Sequence, residues 1–357
     1  MDAGGKMTQD LLGLTIEELK QFATEMGEKP FRGKQLFVWI NRGVSDFDEM
    51  TDLPASFRQA LKEHACIGHA TVLRMQSDHK DGTKKFLFGF GSSGDTEEKG
   101  PLDAAEAVFM KYKYGNTLCV SSQIGCRMGC RFCASALGGF KRNLTPAEML
   151  SQVLTAEKVT GEPINHIVIM GMGEPFDNYD SVSKFLKLLH DPAGKNMSYR
   201  NMTVSTSGII PGIRRFAEDF PQAGLAISLH RMTDEGRSAI MPINRKYPLE
   251  DLLAAARDYT QITGRRITFE YALIRGENDR EEDVALLKKR LQGMLCHVNL
   301  IPLNKVEESG MTGSSRKRAE AIAEELGRGG ISVTVRRELG SEIDGACGQL
   351  RLRQIKD

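Results

Sequence analysis

The first seventy residues place apolar side chains at helical spacing. Residues 11–26 follow this pattern, and Thr15 with Glu18 three positions later forms a capping-box pattern. Residues 35–42 and 54–64 predict two further short amphipathic helices. The pattern therefore predicts a compact helical unit at the start of the chain.

A different pattern follows this unit. Residues 71–75 and 85–90 predict two strands around the turn at Asp81-Gly82. Residues 91–101 are rich in Gly, Ser, Asp and Glu, and we expect a mobile loop there.

Beyond residue 106, strand-like runs alternate with helical stretches. The predicted strands are 107–112, 166–170, 202–205, 225–228, 266–272, 297–301 and 332–336. The predicted helices are 146–159, 179–190, 212–219, 249–263, 281–293 and 315–326. This alternation predicts parallel strands with right-handed crossovers, in a closed or partly closed barrel with its chemistry at the carboxyl ends of the strands.

Composition narrows the class of protein. Of the 357 residues, 40% are hydrophobic and 27% charged, the balance of a soluble globular protein. Apolar runs such as 166–172 are strand-length, and residues 1–20 do not resemble a signal peptide. We therefore expect a cytoplasmic protein without a membrane partner.

Charge is distributed unevenly along the chain. The net charge is only +1, but the segment 111–147 holds six basic residues and no Asp or Glu. Further basic pairs occur at Lys84–Lys85 and Arg336–Arg337. Each cluster is either a solvated face or a contact for phosphates, and the pattern alone leaves both open.

Seven cysteines are present, an odd number that argues against a framework of disulfides. Three of them lie in Cys126-Arg-Met-Gly-Cys130-Arg-Phe-Cys133. Three thiolates at this spacing can hold one iron–sulfur cubane and leave one iron open to bind a ligand. A zinc site is the competing interpretation, although no second pair of ligands at zinc spacing follows.

This motif, with an aromatic residue before the last cysteine, resembles the signature of the radical-SAM superfamily. Further motifs resemble the ribosomal/transfer RNA adenine-C2 methyltransferases over nearly the whole chain. They are Thr117-Leu-Cys119, Gly139-Phe-Lys-Arg-Asn-Leu144, Met170-Gly-Met-Gly-Glu-Pro175 and Asp344-Gly-Ala-Cys347-Gly-Gln-Leu350. The resemblance implies an α/β fold, a partial (β/α)6 radical-SAM barrel with a small helical N-terminal accessory domain.

The resemblance also implies the domain limits and the cofactors. The limits are 1–70 for the helical domain, 71–105 for a hairpin and loop linker, 106–342 for the barrel and 343–357 for a C-terminal loop with the methyl-accepting cysteine. A [4Fe-4S] cluster and two molecules of S-adenosylmethionine (SAM) per turnover are implied. The implied cluster ligands are Cys126, Cys130 and Cys133, and the implied SAM contacts are Gly173, Glu174, Ser205, Ser228, Leu229, His230 and Asn304.

Three residues are implied to carry the chemistry. C2 of adenine is not nucleophilic, so in this family a methyl group passes through a cysteine, here Cys347. Cys119 would then release the product and form a transient disulfide with Cys347, which an external thiol reductant restores. Glu106 occupies the position of the family's general base, although a carboxylate after a loop can equally be solvated.

The implied partners are large-subunit ribosomal RNA, with transfer RNA as a further candidate, an electron donor protein and a thiol reductant protein; we expect a monomer. The helical unit is either an RNA grip or a packing domain, and its candidate residues are Phe31, Arg32, Lys34, Gln35 and Trp39. Two alternatives remain open. One is a C8 adenosine methyltransferase that confers antibiotic resistance, and the other is a non-catalytic, metal-stabilised RNA-binding protein.

Overall fold

The computed structural model describes residues 8–91, 103–302, 310–337 and 343. The helices of this part are α1 Ile16–Glu25, α2 Phe31–Asn41, α3 Ala55–His64, α4 Ala134–Leu137, α5 Pro146–Thr160, α6 Tyr179–His190, α7 Ile210–Asp219, α8 Asp234–Ile240, α9 Leu249–Thr263, α10 Glu281–Leu291 and α11 Arg316–Arg328. In this part, no helix is long and apolar enough to cross a membrane.

The strands are β1 Gln9–Asp10, β2 Ala65–Cys66, β3 His69–Ser77, β4 Lys84–Gly91, β5 Ala104–Tyr112, β6 Gly115–Cys119, β7 Gln123–Ile124, β8 Arg142–Asn143, β9 His166–Ile169, β10 Met202–Thr206, β11 Gly224–Ser228, β12 Ile267–Leu273, β13 Cys296–Pro302 and β14 Ser332–Val335. Ten of them form one sheet in the order β14-β13-β12-β11-β10-β9-β6-β5-β4-β3.

The seven strands from β6 to β14 in this order are all parallel. Helices α5, α6, α7, α9, α10 and α11 connect them, which gives six strand–helix units and confirms the predicted partial (β/α)6 barrel. The carboxyl ends of the parallel strands therefore meet at one rim of the barrel.

The predicted strand at 107–112 does not begin the parallel series. It is part of β5, which runs antiparallel to β6, and only two residues separate these strands. A connection this short allows only a hairpin. The hairpin β3–β4 pairs in turn with β5, so the described strand residues of the predicted linker at 71–105 continue the barrel sheet.

The helical unit at the start of the chain contains α1, α2 and α3. Helix α1 begins at Ile16, later than the hydrophobic pattern suggested, and Thr15 and Glu18 form the predicted capping box. Strand β1 precedes α1 and pairs with β2 after α3, which closes the unit.

Most of the candidate RNA-binding residues on α2 form contacts within the protein. Trp39 Nε1 and Gln35 Nε2 donate to the carboxylate of Asp52, and Arg32 donates to its carbonyl oxygen. Phe31, in contrast, is 51% exposed and lies under the guanidinium group of Arg32. These contacts favour a packing role for Arg32, Gln35 and Trp39.

Helices α1 and α2 approach each other most closely at Gly33. A Cβ atom there would lie 2.3 Å from the backbone nitrogen of Lys20, so Gly33→Ala forces the helices apart. We expect a loss of about 1–3 kcal/mol in the free energy of unfolding. Urea unfolding followed by the fluorescence of Trp39, the only tryptophan in the chain, would measure it.

Gly327 in α11 is the matched control, because nothing lies within 4 Å of the position of its Cβ. Gly327→Ala should raise stability by about 0.5–1 kcal/mol through helix propensity, measured by circular dichroism. An unfolding midpoint of Gly33→Ala equal to that of the unmodified protein would contradict the close approach of the helices.

Candidate functional site

The cysteine motif lies on a loop at the carboxyl end of β6. Strands β7 and β8 pair at the base of this loop and join its two ends. Gly125 has φ +75°, and a Cβ atom there would lie 1.6 Å from the carbonyl oxygen of Gly139. Only glycine fits at this crossing, so the loop that carries the three cysteines has a fixed base.

The three thiols lie among apolar side chains. Cys126 and Cys130 are buried and Cys133 is half-buried, and Cys130 packs against Ile240 and Met241. Burial raises the pKa of Cys126 to about 12 and raises the pKa of Cys130 as well, and the negative charge of the neighbouring thiolates adds to both shifts. Cys126 and Cys130 are therefore protonated when no metal is bound.

The donor set fits an iron–sulfur cluster. Thiolates in apolar surroundings are the ligands such clusters require, and metal binding would displace the thiol protons. Within the described ranges, no three His, Cys, Asp or Glu side chains are gathered closely enough to hold a metal ion as they stand. The hydroxyl groups of Ser122 and Ser135, which flank the loop, are buried without a hydrogen-bond partner in the described part of the chain. These two hydroxyl groups could therefore form a hydrogen bond to a group bound at the loop.

Glu174 follows β9 and is fully buried. Its carboxylate accepts hydrogen bonds from the backbone N–H of Phe176 (3.1 Å), the hydroxyl of Thr206 (2.8 Å) and the backbone N–H of Ser207 (2.6 Å). Burial raises the pKa of Glu174, and these three donors oppose the shift. The carboxylate therefore joins the ends of strands β9 and β10.

Gly173 precedes this carboxylate with φ +106°. A Cβ atom there would lie 2.6 Å from Cβ of Gln123, whose side-chain oxygen accepts the backbone N–H of Glu174 at 2.9 Å. Glycine is therefore required for the close packing of the β9 loop against the start of the cysteine loop.

Residues 228–230 lie at the carboxyl end of β11. His230 has φ +57° and is 4% exposed, and its ring contacts the ring of Phe132 edge to face at 4.8 Å. Its Nδ1 accepts the backbone N–H of Ala272 at 2.9 Å. Burial lowers the pKa of His230 to about 3, with a smaller contribution from Arg237, so the imidazole is neutral. His230 thus lies directly against the cysteine motif.

The other implied cofactor contacts differ in exposure. Ser205 and Ser228 are half-buried at the ends of β10 and β11, whereas Leu229 is fully buried. Asn304 and Cys347 lie outside the described residues.

Arg237 on α8 is a buried residue that the sequence analysis missed. Its guanidinium group donates to the carbonyl oxygens of Ser207 (2.6 Å), Ser228 (3.0 Å) and Leu229 (3.3 Å), and to Oδ1 of Asn244 (3.0 Å). Burial lowers its pKa to about 10, so it remains charged at neutral pH. One arginine therefore joins the carboxyl ends of β10 and β11.

Cys119 and Glu106 lie on the neighbouring strands β6 and β5. Both are buried, and Glu106 forms an ion pair with Lys85, Nζ to Oε2, at 2.9 Å. Glu106 is therefore not the solvated carboxylate of the alternative interpretation. Lys85 is fully buried, so the sequence pair Lys84–Lys85 is not a solvated basic cluster.

The segment 111–147 is also less basic in space than in sequence. Four of its cations form ion pairs with acids from outside the segment: Lys111 with Glu162, Arg127 with Asp177, Lys141 with Asp103, and Arg142 with Asp103 and Glu148. Lys113 and Arg131 have no such partner among the residues that the structure describes, and both are exposed. Lys113 and Arg131 are therefore the candidates in this segment for contact with a phosphate.

The barrel and its cysteine loop define a radical SAM protein, and comparison with known families agrees. The model of the Radical SAM superfamily matches residues 120–287, which implies a [4Fe-4S] cluster and SAM as cofactors. The model of the Ribosomal RNA large subunit methyltransferase N-terminal domain matches residues 9–67.

Relatives extend the match to the whole chain. A probable dual-specificity RNA methyltransferase RlmN of Clostridium perfringens (strain SM101 / Type A) is 48% identical over 349 residues, 98% of each chain. That of Alkaliphilus oremlandii is 46% identical over 348 residues, 98% of this chain and 99% of its own. The crystal structure of a radical SAM methyltransferase from Sphaerobacter thermophilus matches with a TM-score of 0.88 at 41% identity, over 96% of this chain and 98% of that one. The chain belongs to the RlmN family.

Arg237 offers a direct test of how the strand ends are held. Arg237→Met leaves three buried carbonyl oxygens without their donor, so we expect a loss of about 2–4 kcal/mol in the free energy of unfolding. Urea unfolding followed by circular dichroism would measure it.

Arg245, on the exposed face of the following turn, is the control for loss of an arginine charge, and Arg245→Met should change stability by less than about 0.5 kcal/mol. Equal effects of the two substitutions would show that Arg237 does not hold the strand ends.

Proposed function

We propose that the protein methylates C2 of an adenosine in large-subunit ribosomal RNA, with transfer RNA as a second substrate. The observation that carries the proposal is that Cys119 and Glu106 are both buried on one face of the neighbouring strands β6 and β5, in a chain of the RlmN family. A metal-stabilised RNA-binding protein would have no use for a buried thiol and carboxylate at this place.

Cys126, Cys130 and Cys133 would hold the iron–sulfur cluster, since they supply three thiols on one loop with a fixed base. When bound, the cluster and SAM supply the methyl group and the 5′-deoxyadenosyl radical. The residues that would contact SAM are Gly173, Glu174, Ser205, Ser228, Leu229 and His230, which lie at the strand ends near this loop, together with Asn304, which lies outside the described residues. His230, in contact with Phe132 of the motif, supports this placement.

Cys347 would carry the methyl group on its sulfur and become joined to the target adenosine through it. The thiolate of Cys119 would then attack the sulfur of Cys347 and form the Cys119–Cys347 disulfide, while the electron pair of the broken sulfur–carbon bond leaves with the methylene carbon, which takes up a proton to become the methyl group of the product. A thiol reductant protein would restore both thiols, and an electron donor protein would serve the cluster. Glu106 would act as general base at the target carbon.

The RNA has to present its adenosine unstacked, because a base inside a helix cannot reach the rim of the barrel. Arg131 lies within the cysteine motif, is exposed and has no acidic partner in the described part of the chain, which suits contact with a phosphate near the target. We further propose that the protein acts as a monomer in the cytoplasm, where its RNA substrates occur.

The activity can be measured with anaerobically reconstituted protein, reductant, methyl-deuterated SAM and protein-free large-subunit ribosomal RNA. We expect labelled 2-methyladenosine in the nucleoside digest, read by mass spectrometry. Cys347→Ala should abolish it, while Cys66→Ala, in a cysteine outside the family motifs, should leave it within about twofold. Labelled 8-methyladenosine would move the protein to the C8 alternative, and the absence of any methylated adenosine would refute the substrate assignment.

The cluster ligands can be tested without activity. Replacing any one of Cys126, Cys130 and Cys133 with alanine should remove most of the bound iron and the visible absorption near 400 nm, since two thiolates do not hold a cubane. Cys296→Ala is the control, because this buried cysteine lies on β13 away from the loop. Stoichiometric zinc with no iron in the unmodified protein would instead support the zinc interpretation.

A further inference from the structure

Lys85 and Glu106 form an ion pair without access to solvent. Their side chains are 0% and 3% exposed, and Nζ lies 2.9 Å from Oε2. Removing two charges from water is costly, and a buried pair of this kind is often no more stable than apolar residues of the same size. Stability therefore does not account for this pair, which suggests a role in the chemistry of the site.

The register of the strands places this pair on the same face of the sheet as Cys119. Val108 of β5 pairs directly with Lys85 of β4 and with Cys119 of β6, and side chains of directly paired residues point to one face. Glu106 lies two residues before Val108 and shares that face, because strand side chains alternate with a period of two. The ammonium, carboxylate and thiol groups thus lie on one face over three adjacent strands.

This face is the inside of the barrel. The opposite face of these strands carries Phe86, Phe88, Ala105, Ala107 and Phe109, which belong to the main hydrophobic core together with residues of the surrounding helices. The face that carries Lys85, Glu106 and Cys119 therefore points away from the helices, toward the interior that a substrate base would enter.

We propose that Lys85 is a positioning residue whose ion pair fixes the carboxylate of Glu106 toward the interior, on the face that Cys119 shares. This inference rests on the proposed function. A general base has to be held within hydrogen-bond reach of the proton that it accepts, and the buried ammonium group of Lys85 holds this carboxylate in one place. With Lys85 in place, Glu106 accepts the proton that leaves the target carbon, and the electron pair of the C–H bond stays in the adenine ring.

The test compares Lys85→Met with Lys84→Met. Lys84 is the adjacent residue of β4, so its side chain points to the other face of the sheet, and its replacement removes one lysine charge without touching Glu106. Three quantities are measured in the reconstituted protein: 5′-deoxyadenosine, methylation of Cys347 by peptide mass, and methyladenosine in RNA.

We expect Lys85→Met to lower the rate of methyladenosine formation by about 100-fold or more, the usual contribution of a general base. Formation of 5′-deoxyadenosine and methylation of Cys347 should change by less than about threefold, because neither step needs that base. Lys84→Met should stay within about twofold in all three. Equal losses in all three quantities, or unchanged methyladenosine in Lys85→Met, would overturn the inference.

A double variant separates positioning from folding. If Lys85 acts through Glu106, then Lys85→Met combined with Glu106→Gln should be no slower than Glu106→Gln alone. This neutral pair also avoids an unpaired buried charge, so the comparison decides the question even if Lys85→Met alone fails to fold. A further loss of tenfold or more in the double variant would refute the positioning role.

The same assay of the unmodified protein, run in parallel, distinguishes failure of the proposed function from failure of this inference. If it forms no methyladenosine, the proposed function fails and this inference fails with it. If it forms methyladenosine and Lys85→Met forms it equally fast, only the role of Lys85 fails.

Discussion

The rim of the barrel depends on one constraint, which is that the backbone groups at the carboxyl ends of parallel strands need hydrogen-bond partners once the sheet stops. In this protein buried polar side chains supply them. Asn178 donates to the carbonyl oxygens of Ser122 and Leu144, and Arg237 donates to those of three residues at the ends of β10 and β11. Because an unpaired buried polar group is costly, each of these side chains fixes the loops that it joins.

The same bonds determine where chemistry is possible. Asn278 donates to the carbonyl oxygens of His230 and Ala272 and accepts the backbone N–H of Ile274, which holds His230 against the cysteine motif. The carboxylate of Glu174 similarly joins the ends of β9 and β10 by accepting hydrogen bonds from Thr206 and Ser207. The side chains that stabilise the rim therefore include Glu174, a proposed SAM contact, and Asn278, which holds the proposed contact His230, so a substitution at either should disturb stability and the proposed binding together.

The sequence predicted the periodic part of this structure well. Helices α6 and α9 have their predicted limits, because their apolar stripes begin and end at clear signals. The orientation of β5 could have been read from the two-residue connection to β6, a signal that the strand–helix alternation concealed. Arg237 and Lys85 could not be found in this way, since periodicity reports apolar faces and a buried charge looks like a surface residue in sequence.

Ion pairing distinguishes two kinds of basic residue that look alike in the sequence: those paired with acids of the protein and those left exposed to solvent. Arg142 and Arg127 form ion pairs with acids that lie outside the segment 111–147, and Lys85 is enclosed with Glu106 inside the barrel. These cations are neutralised by acids of the protein and add little to its surface potential, which is consistent with a net charge of only +1. In the proposed function, recognition of RNA would depend on the shape of the rim, on a few exposed cations such as Arg131 and on an unstacked adenosine, rather than on a broad positive field.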